Sequence, residues 1–295
     1  MLSLVSYPFT NNELSKKGPR EYTKKMLSDA NIYMLVQAKY PKIDFDNNNL
    51  GMSLNLTISD GVLKSTGCLD IGYALNCNYP SLCEDIANGD YGDVCLNFRV
   101  WSDPNCYLVV GLKDKNTQKI IKDDLIEVNA WQILYFKSRG APFIEGFDDF
   151  RDFFNFKVHY VGKTTKNLYD RLVKGHHARG DILSSERTIN SDAMLGEELL
   201  VLPFKVQSSV VGDNCCVNMS EKLLISSLQP DYNQIKYNNL VKELKKQSDF
   251  GSYQLYLNEA IALSTASSKF ANRSYSTNSN SCSFIMLDEQ GIKIH

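Results

Sequence analysis

From Met52 to Val128 the chain alternates between apolar and polar residues, and this stretch constrains the fold more than any other. The runs SLNLTI, VCLNFRVW, CYLVVGL and LIEVNAW each read as strands, divided by Gly, Asp, Asn and Pro clusters suited to turns. Alternation of this kind buries one face of an antiparallel sheet, so the region is β-rich. Two more strand-like runs follow, Trp131 to Lys137 and Phe156 to Val161. The pattern then turns helical, with candidate helices at Asn167 to Lys174, Glu197 to Leu202, Ser220 to Leu228 and Tyr237 to Gln247. Before the β-rich region, Glu21 to Ala38 carries a rough 3.6-residue stripe (Tyr22, Met26, Ala30, Tyr33, Met34 and Val36) that predicts one helix, and Asp44 to Leu50 reads as a loop. The expected class is α+β. Three segments are expected: 1–130, helix plus β-rich region; 131–247; and 248–295, a further element and a flexible tail rich in Ser, Asn and Thr from Ser264 to Ser283.

Composition narrows the functional classes. The 295 residues carry 32 basic and 34 acidic side chains, a formal charge of −2, which argues against a uniformly basic nucleic-acid binder but is blind to a local patch. By segment, residues 1–130 hold 13 basic and 16 acidic side chains, residues 131–247 hold 16 and 14, and the rest 3 and 4. The positive balance falls in the middle segment. No run approaches the roughly 18 continuous apolar residues of a membrane span, and the N-terminus lacks the pattern of a secretory signal. A soluble, cytoplasmic or intracellular protein is expected, with no membrane partner. Cys68, Cys77, Cys83, Cys95 and Cys106 crowd together without a CxxC pair or nearby histidine, so reduced thiols are expected rather than zinc.

Two stretches carry chemistry. In YVGKTTKNLYDRLVKGHHARG, from Tyr160 to Gly180, a strand ends in Gly162, Lys163 and Thr164 follow, and a helix capped by Asn167 places Arg171 about one turn in, with His176, His177 and Arg179 beyond it. Backbone and cations gathered over so small an area suit a phosphate, although capping, packing and solvation would also account for these residues. In SEKLLISSLQPDYN, from Ser220 to Asn233, Glu221 precedes an apolar helical face that Pro230 ends. It has the oxygen chemistry to hold Mg²⁺ alongside water, or, with Asn218 as N-cap, to complete a capping box.

Together these stretches resemble the GIY-YIG endonuclease family. Tyr160-Val161-Gly162-Lys163 is similar to the second half-signature, Asn167-Leu168-x-x-Arg171-Leu172 to the arginine helix, and Glu221 with Asn233 twelve residues on to the metal-binding glutamate and its asparagine. The resemblance covers about residues 131–240. The first half-signature is expected at Ile133-Leu134-Tyr135, with no glycine and 25 residues ahead of Tyr160, a long hairpin from Ser138 to Asn155 lying between. Gly175 stands where the family has Tyr or His, so His176 or His177 takes that role. His159, next to Tyr160 on a strand, is expected to be structural.

The resemblance implies a small central β-sheet flanked by helices and preceded by the β-rich region. It also implies Mg²⁺-dependent hydrolysis of DNA phosphodiester bonds, with Mn²⁺ substituting. Tyr160 or Tyr135 would take the proton of water, helped by Lys163; Arg171 would hold the phosphoryl oxygens; Glu221 would ligate the metal; His176 would relay a proton; Asn233 would organise the site. Gly162, Thr164, His177 and Arg179 are the expected substrate contacts. A restriction or defence nuclease fits best, with a homodimer or higher homo-oligomer as the route to double-strand cuts. The alternatives are a catalytically idle nucleic-acid- or protein-binding module on the same scaffold, or a ligand- or carbohydrate-binding role for the β-rich region.

Overall fold

The computed structural model describes residues 1–15, 20–45, 51–101, 107–173, 175–191, 193–207, 213–246, 252–266, 268–271, 284–288 and 290–295. The class is mixed α+β. The chain forms two compact units, Met1–Lys39 with Phe154–His295, and Tyr40–Phe153. This corrects the expected division at residues 130 and 247. The first 39 residues belong with the C-terminal half because the strand they contain is the middle of its sheet, and residues 131–153 belong with the β-rich region.

The first unit is built on a seven-stranded mixed sheet. Ile32–Gln37 lies between Leu199–Val206 and Asn155–Lys163, antiparallel to both; Leu2–Leu4 and Phe9–Thr10 pair with Leu199–Val206, and Ala262–Ser264 runs parallel beside Asn155–Lys163, followed by Lys269–Ala271. All six residues of Ile32–Gln37 are buried. A strand covered on both faces loses its alternation, which is why the stretch can be read as helix: the helix ends at Met26 (Arg20–Met26) and the strand begins six residues later. The energetics favour the strand. Burying Ile32, Met34, Leu35 and Val36 contributes about 1.5–3 kcal/mol each, whereas the helix propensity of such residues differs by less than about 0.7 kcal/mol.

The same cause accounts for one further correction, and two helices differ from expectation in extent. Leu199–Val206, expected to continue a helix from Glu197, is a fully packed strand after the short helix Leu195–Glu198. Ser220–Leu228 is the second half of a longer helix, Asp213–Leu228, so Asn218 sits inside it and does not cap Glu221. The helix expected at Tyr237–Gln247 is confined to Leu240–Leu244. Beyond residue 248, Tyr253–Tyr256, Phe284–Asp288 and Gly291–Ile294 form a small antiparallel sheet of their own. Most of the expected Ser/Asn-rich tail, residues 267 and 272–283, lies outside the described residues, as do Lys174, Cys106 and residues 46–50 of the expected loop, whose first residues, Asp44 and Phe45, instead end the strand Lys42–Phe45.

The second unit holds a four-stranded sheet (Ile144–Gly146, Lys64–Asp70, Ser53–Ser59, Lys42–Phe45) and a three-stranded antiparallel meander (Val94–Trp101, Tyr107–Asp114, Ile120–Asn129). The helices Ile71–Asn78 and Pro80–Ala87, which carry Cys77 and Cys83, add an element absent from the expectation. None of the six described cysteines, Cys68, Cys77, Cys83, Cys95, Cys215 and Cys216, is joined in a disulfide. Residues Ala130–Ser138 form a helix, not the strand expected from Trp131 to Lys137. Its start is fixed by a capping box: the Gln132 backbone N–H donates to Asn129 Oδ1 at 2.9 Å, and the Asn129 N–H donates to Gln132 Oε1 at 2.8 Å. Tyr135 is therefore on a helix of this unit, its ring beside Phe136 and under the Arg139 guanidinium.

The two units differ sharply in charge. Residues 40–153 carry 10 basic and 17 acidic side chains, and the remainder 22 and 17, so a chain of −2 combines a unit of −7 with one of +5. No helix of the described residues is long and apolar enough to cross a membrane.

Candidate functional site

The site is assembled on the strand pair at the centre of the first unit. In register, Gly162 lies opposite Tyr33 and Lys163 opposite Ile32. A methyl group on Gly162 would stand 2.7 Å from Tyr33 Oη and 2.7 Å from Tyr160 Cε1, closer than van der Waals contact allows. Glycine is thus required for the two phenol rings to close over the strand, and their centroids are 6.0 Å apart. An irregularity between Val158 and Tyr160 leaves His159 as the extra residue, and the two side chains reach different neighbours. His159 is fully buried, with Nε2 3.2 Å from Gln37 Oε1 and Nδ1 3.6 Å from Glu186 Oε1, and burial pulls its pKa down to about 4.

Arg171 and His176 converge on Tyr33. Arg171 projects from the helix Leu168–Val173, whose start is capped by the Asn167 side chain accepting the Tyr169 N–H at 2.9 Å. Its Nε donates to Tyr33 Oη at 3.3 Å. Gly175, at φ +95°, lets the chain turn back, so that His176 becomes the N-cap of His177–Ser185 and its ring stands edge-on to Tyr33 and Tyr160. Because His176 Nδ1 accepts the Arg179 backbone N–H, Nε2 bears the proton and donates to Tyr33 Oη at 2.6 Å. Burial, then the charges of Arg171 and Arg179, hold the His176 pKa down to about 4, so the ring is neutral at pH 7. Burial also pushes the Tyr33 phenol above its usual range, and its hydrogen bond to Arg171 opposes this without winning. Tyr33 is therefore a neutral hub that orients two other side chains.

Glu221, near the middle of Asp213–Leu228, pairs with Lys163 Nζ at 2.7 Å. The turn after that helix carries Asn233, which is buried and clamps one strand residue: it accepts the Val161 N–H at 2.9 Å and donates to the Val161 carbonyl at 2.8 Å. Asn233→Ala would leave both backbone groups without partners, and each unmet buried group costs about 1–3 kcal/mol. The expected result is a loss of about 2 kcal/mol or more in urea unfolding; an unchanged midpoint would rule the clamp out.

A cleft of about 360 Å³ opens over these groups, lined by Tyr160, Arg171, His176, His177, Glu221 and Asn233, among others. Tyr160 faces it, while Tyr33 stands behind. Glu221 has the chemistry to hold a divalent cation, since Mg²⁺ takes one or two carboxylates together with water and substrate phosphate. Among the described residues there is no cluster of three or more His, Cys, Asp or Glu side chains suited to an all-protein metal cage.

Of the eleven residues expected to form the site, the structure gathers Tyr160, Gly162, Lys163, Arg171, His176, Glu221 and Asn233, with His177 at the cleft wall. Thr164 and Arg179 do not line this cleft. Thr164 is buried and tied to Lys166, and the Arg179 guanidinium is spent on Asn11 and the Leu172 carbonyl. Tyr135 belongs to the other unit, and the tyrosine whose ring the structure brings beside Tyr160 is Tyr33, on the strand paired with it. A signal for Tyr33 exists in the sequence. Ile32-Tyr33 heads the longest apolar run near the N-terminus, but it lies 127 residues ahead of Tyr160 and is visible as a partner once the sheet is formed. Comparisons with protein-family models, curated proteins and solved structures find no match to this chain.

Proposed function

We propose that the protein is a metal-dependent endonuclease of the GIY-YIG type that hydrolyses DNA phosphodiester bonds. The observation that carries this reading is the meeting of Tyr160, Arg171, His176 and Glu221, from segments far apart in sequence, in the lining of one cleft, with Tyr33 hydrogen-bonded to Arg171 and His176 behind it and Lys163 paired with Glu221. Ile32-Tyr33 stands for the first half-signature and Tyr160-Val161-Gly162 for the second, so the family's sheet is interrupted between its halves by residues 40–153. Tyr160, in the cleft wall, takes the proton from the attacking water. Arg171 presents a fixed guanidinium to the phosphoryl oxygens, and Tyr33 and His176 keep that guanidinium and the cleft wall in position. A divalent ion, Mg²⁺ or in its place Mn²⁺, supplies further stabilisation of charge on the phosphate and leaving oxygen when bound at Glu221.

The +5 balance of the site unit favours DNA lying over it, and the −7 balance of the inserted unit argues against a phosphate-binding role there. Sequence recognition or dimer contacts in a restriction or defence setting would then rest on shape and neutral groups of that unit. With one site per chain, cutting both strands takes two copies or two nicks. Supercoiled plasmid is expected to be nicked or linearised in Mg²⁺ and left intact in EDTA; cleavage unaffected by EDTA, or none in any divalent metal, overturns the assignment. The Lys163–Glu221 ion pair favours a second reading. A carboxylate already neutralised by lysine repels phosphate less, which suits a module that binds nucleic acid without cutting it.

A further inference from the structure

The segment Tyr232 to Tyr237 lines one side of the cleft and contains features the catalytic assignment leaves unused. Tyr237 has a left-handed backbone, φ +52°, which is rare for a bulky residue, and Asn238 and Asn239, of the type that tolerates it best, stand directly after. The conformation is held in place: the Tyr237 carbonyl accepts the Ser226 hydroxyl at 3.1 Å and the Leu240 N–H at 3.0 Å. The ring lines the cleft together with Ile235, which is 64% exposed, and Lys222 Nζ lies 5.5 Å from its centroid. A side chain kept at a strained position, beside an apolar residue left in water, points to a ligand that uses both. A phosphate at Arg171 and Glu221 leaves much of the 360 Å³ cleft to be filled, and this wall offers it an aromatic face and an aliphatic edge.

We propose that Tyr237 and Ile235 form a shelf for a nucleobase of the strand whose phosphate lies at Arg171 and Glu221, so that the substrate is bound with one base out of its stack. The inference rests on the nuclease reading and adds the form in which the strand is held. Aromatic stacking gives affinity without sequence preference, and Lys222 brings positive charge to the same place.

Short random-sequence oligonucleotides carrying 5-iododeoxyuridine, single-stranded and duplex, are irradiated with the full-length protein in EDTA, and crosslinked peptides are mapped. The expected crosslink is to Tyr237, stronger with the single strand, where no base pair has to be opened. Tyr237→Asn is the informative variant, because asparagine suits the left-handed backbone. It should raise Tm while weakening single-strand binding about 5- to 150-fold, the range that loss of one stacked base implies. A residue of merely structural value would not move the two in opposite senses. Tyr237→Phe should bind as the wild type does, and Ile235→Ala, an exposed change that keeps the fold, should bind more weakly. Crosslinks confined to other peptides, or undiminished affinity in both Tyr237→Asn and Ile235→Ala, overturn the shelf while leaving plasmid cleavage intact. Wild-type protein that neither binds oligonucleotides nor cuts plasmid overturns the shelf and the nuclease reading together.

Discussion

Tyr33→Phe is expected to lower plasmid cleavage about 10²-fold, with DNA affinity preserved, whereas Tyr135→Phe leaves cleavage unchanged. The phenylalanine keeps the ring packed over Gly162 and removes one oxygen. That oxygen accepts from His176 Nε2 at 2.6 Å and from Arg171 Nε at 3.3 Å, so its loss releases two groups at once. Arg171 is exposed and His176 half-buried, which keeps the cost in stability small. The cost in rate is larger, because displacing a catalytic guanidinium by about 1 Å is enough for a 10²-fold effect. Tyr160→Phe, which removes the hydroxyl facing the cleft, should cost 10²- to 10⁴-fold, the usual contribution of a positioned acid or base. Single-turnover cleavage with saturating enzyme separates these from binding. If Tyr135→Phe is the variant that loses activity, the pairing of Tyr33 with Tyr160 is not the catalytic one.

The contrast between those two tyrosines shows what is legible in a sequence of this kind. Local order is legible: the strand through Phe156 to Val161, the Asn167 cap, the arginine one turn into its helix and the turn at Pro230 all follow from neighbours within a few residues. Partnerships across the fold are not. Ile32–Gln37 hides its strand character because both faces are covered, and hides its partner because residues 40–153 intervene. Trp131 to Lys137 shows the converse. Its apolar run suits either a strand or a helix, and the deciding signal is the Asn129–Gln132 capping box just ahead of it. Charge behaves similarly: dividing the chain at residue 130 dilutes a difference of −7 against +5 into values near zero, because that boundary cuts through both units.

Glu221→Ala is expected to abolish cleavage in Mg²⁺ and Mn²⁺, by 10³-fold or more on the scale of a lost transition-state charge stabiliser, and at the same time to tighten DNA binding in EDTA. The second effect follows from the ion pair. Lys163 Nζ is held 2.7 Å from the carboxylate, which is 12% exposed, so the pair offers a phosphate little net attraction. Removing the carboxylate removes a repulsive charge and frees a cation in the same place. One additional phosphate contact should steepen the dependence of log K on log salt by about 0.9. Lys163→Met should do the reverse, weakening DNA binding and leaving Glu221 without its internal cation. Titrations of the catalytically dead variant at several salt concentrations test this directly. Tighter binding with a steeper slope and no cleavage fits a metal-dependent nuclease. Undiminished cleavage fits neither reading of this carboxylate, and cleavage lost together with binding and with the cooperative unfolding transition marks Glu221 as structural.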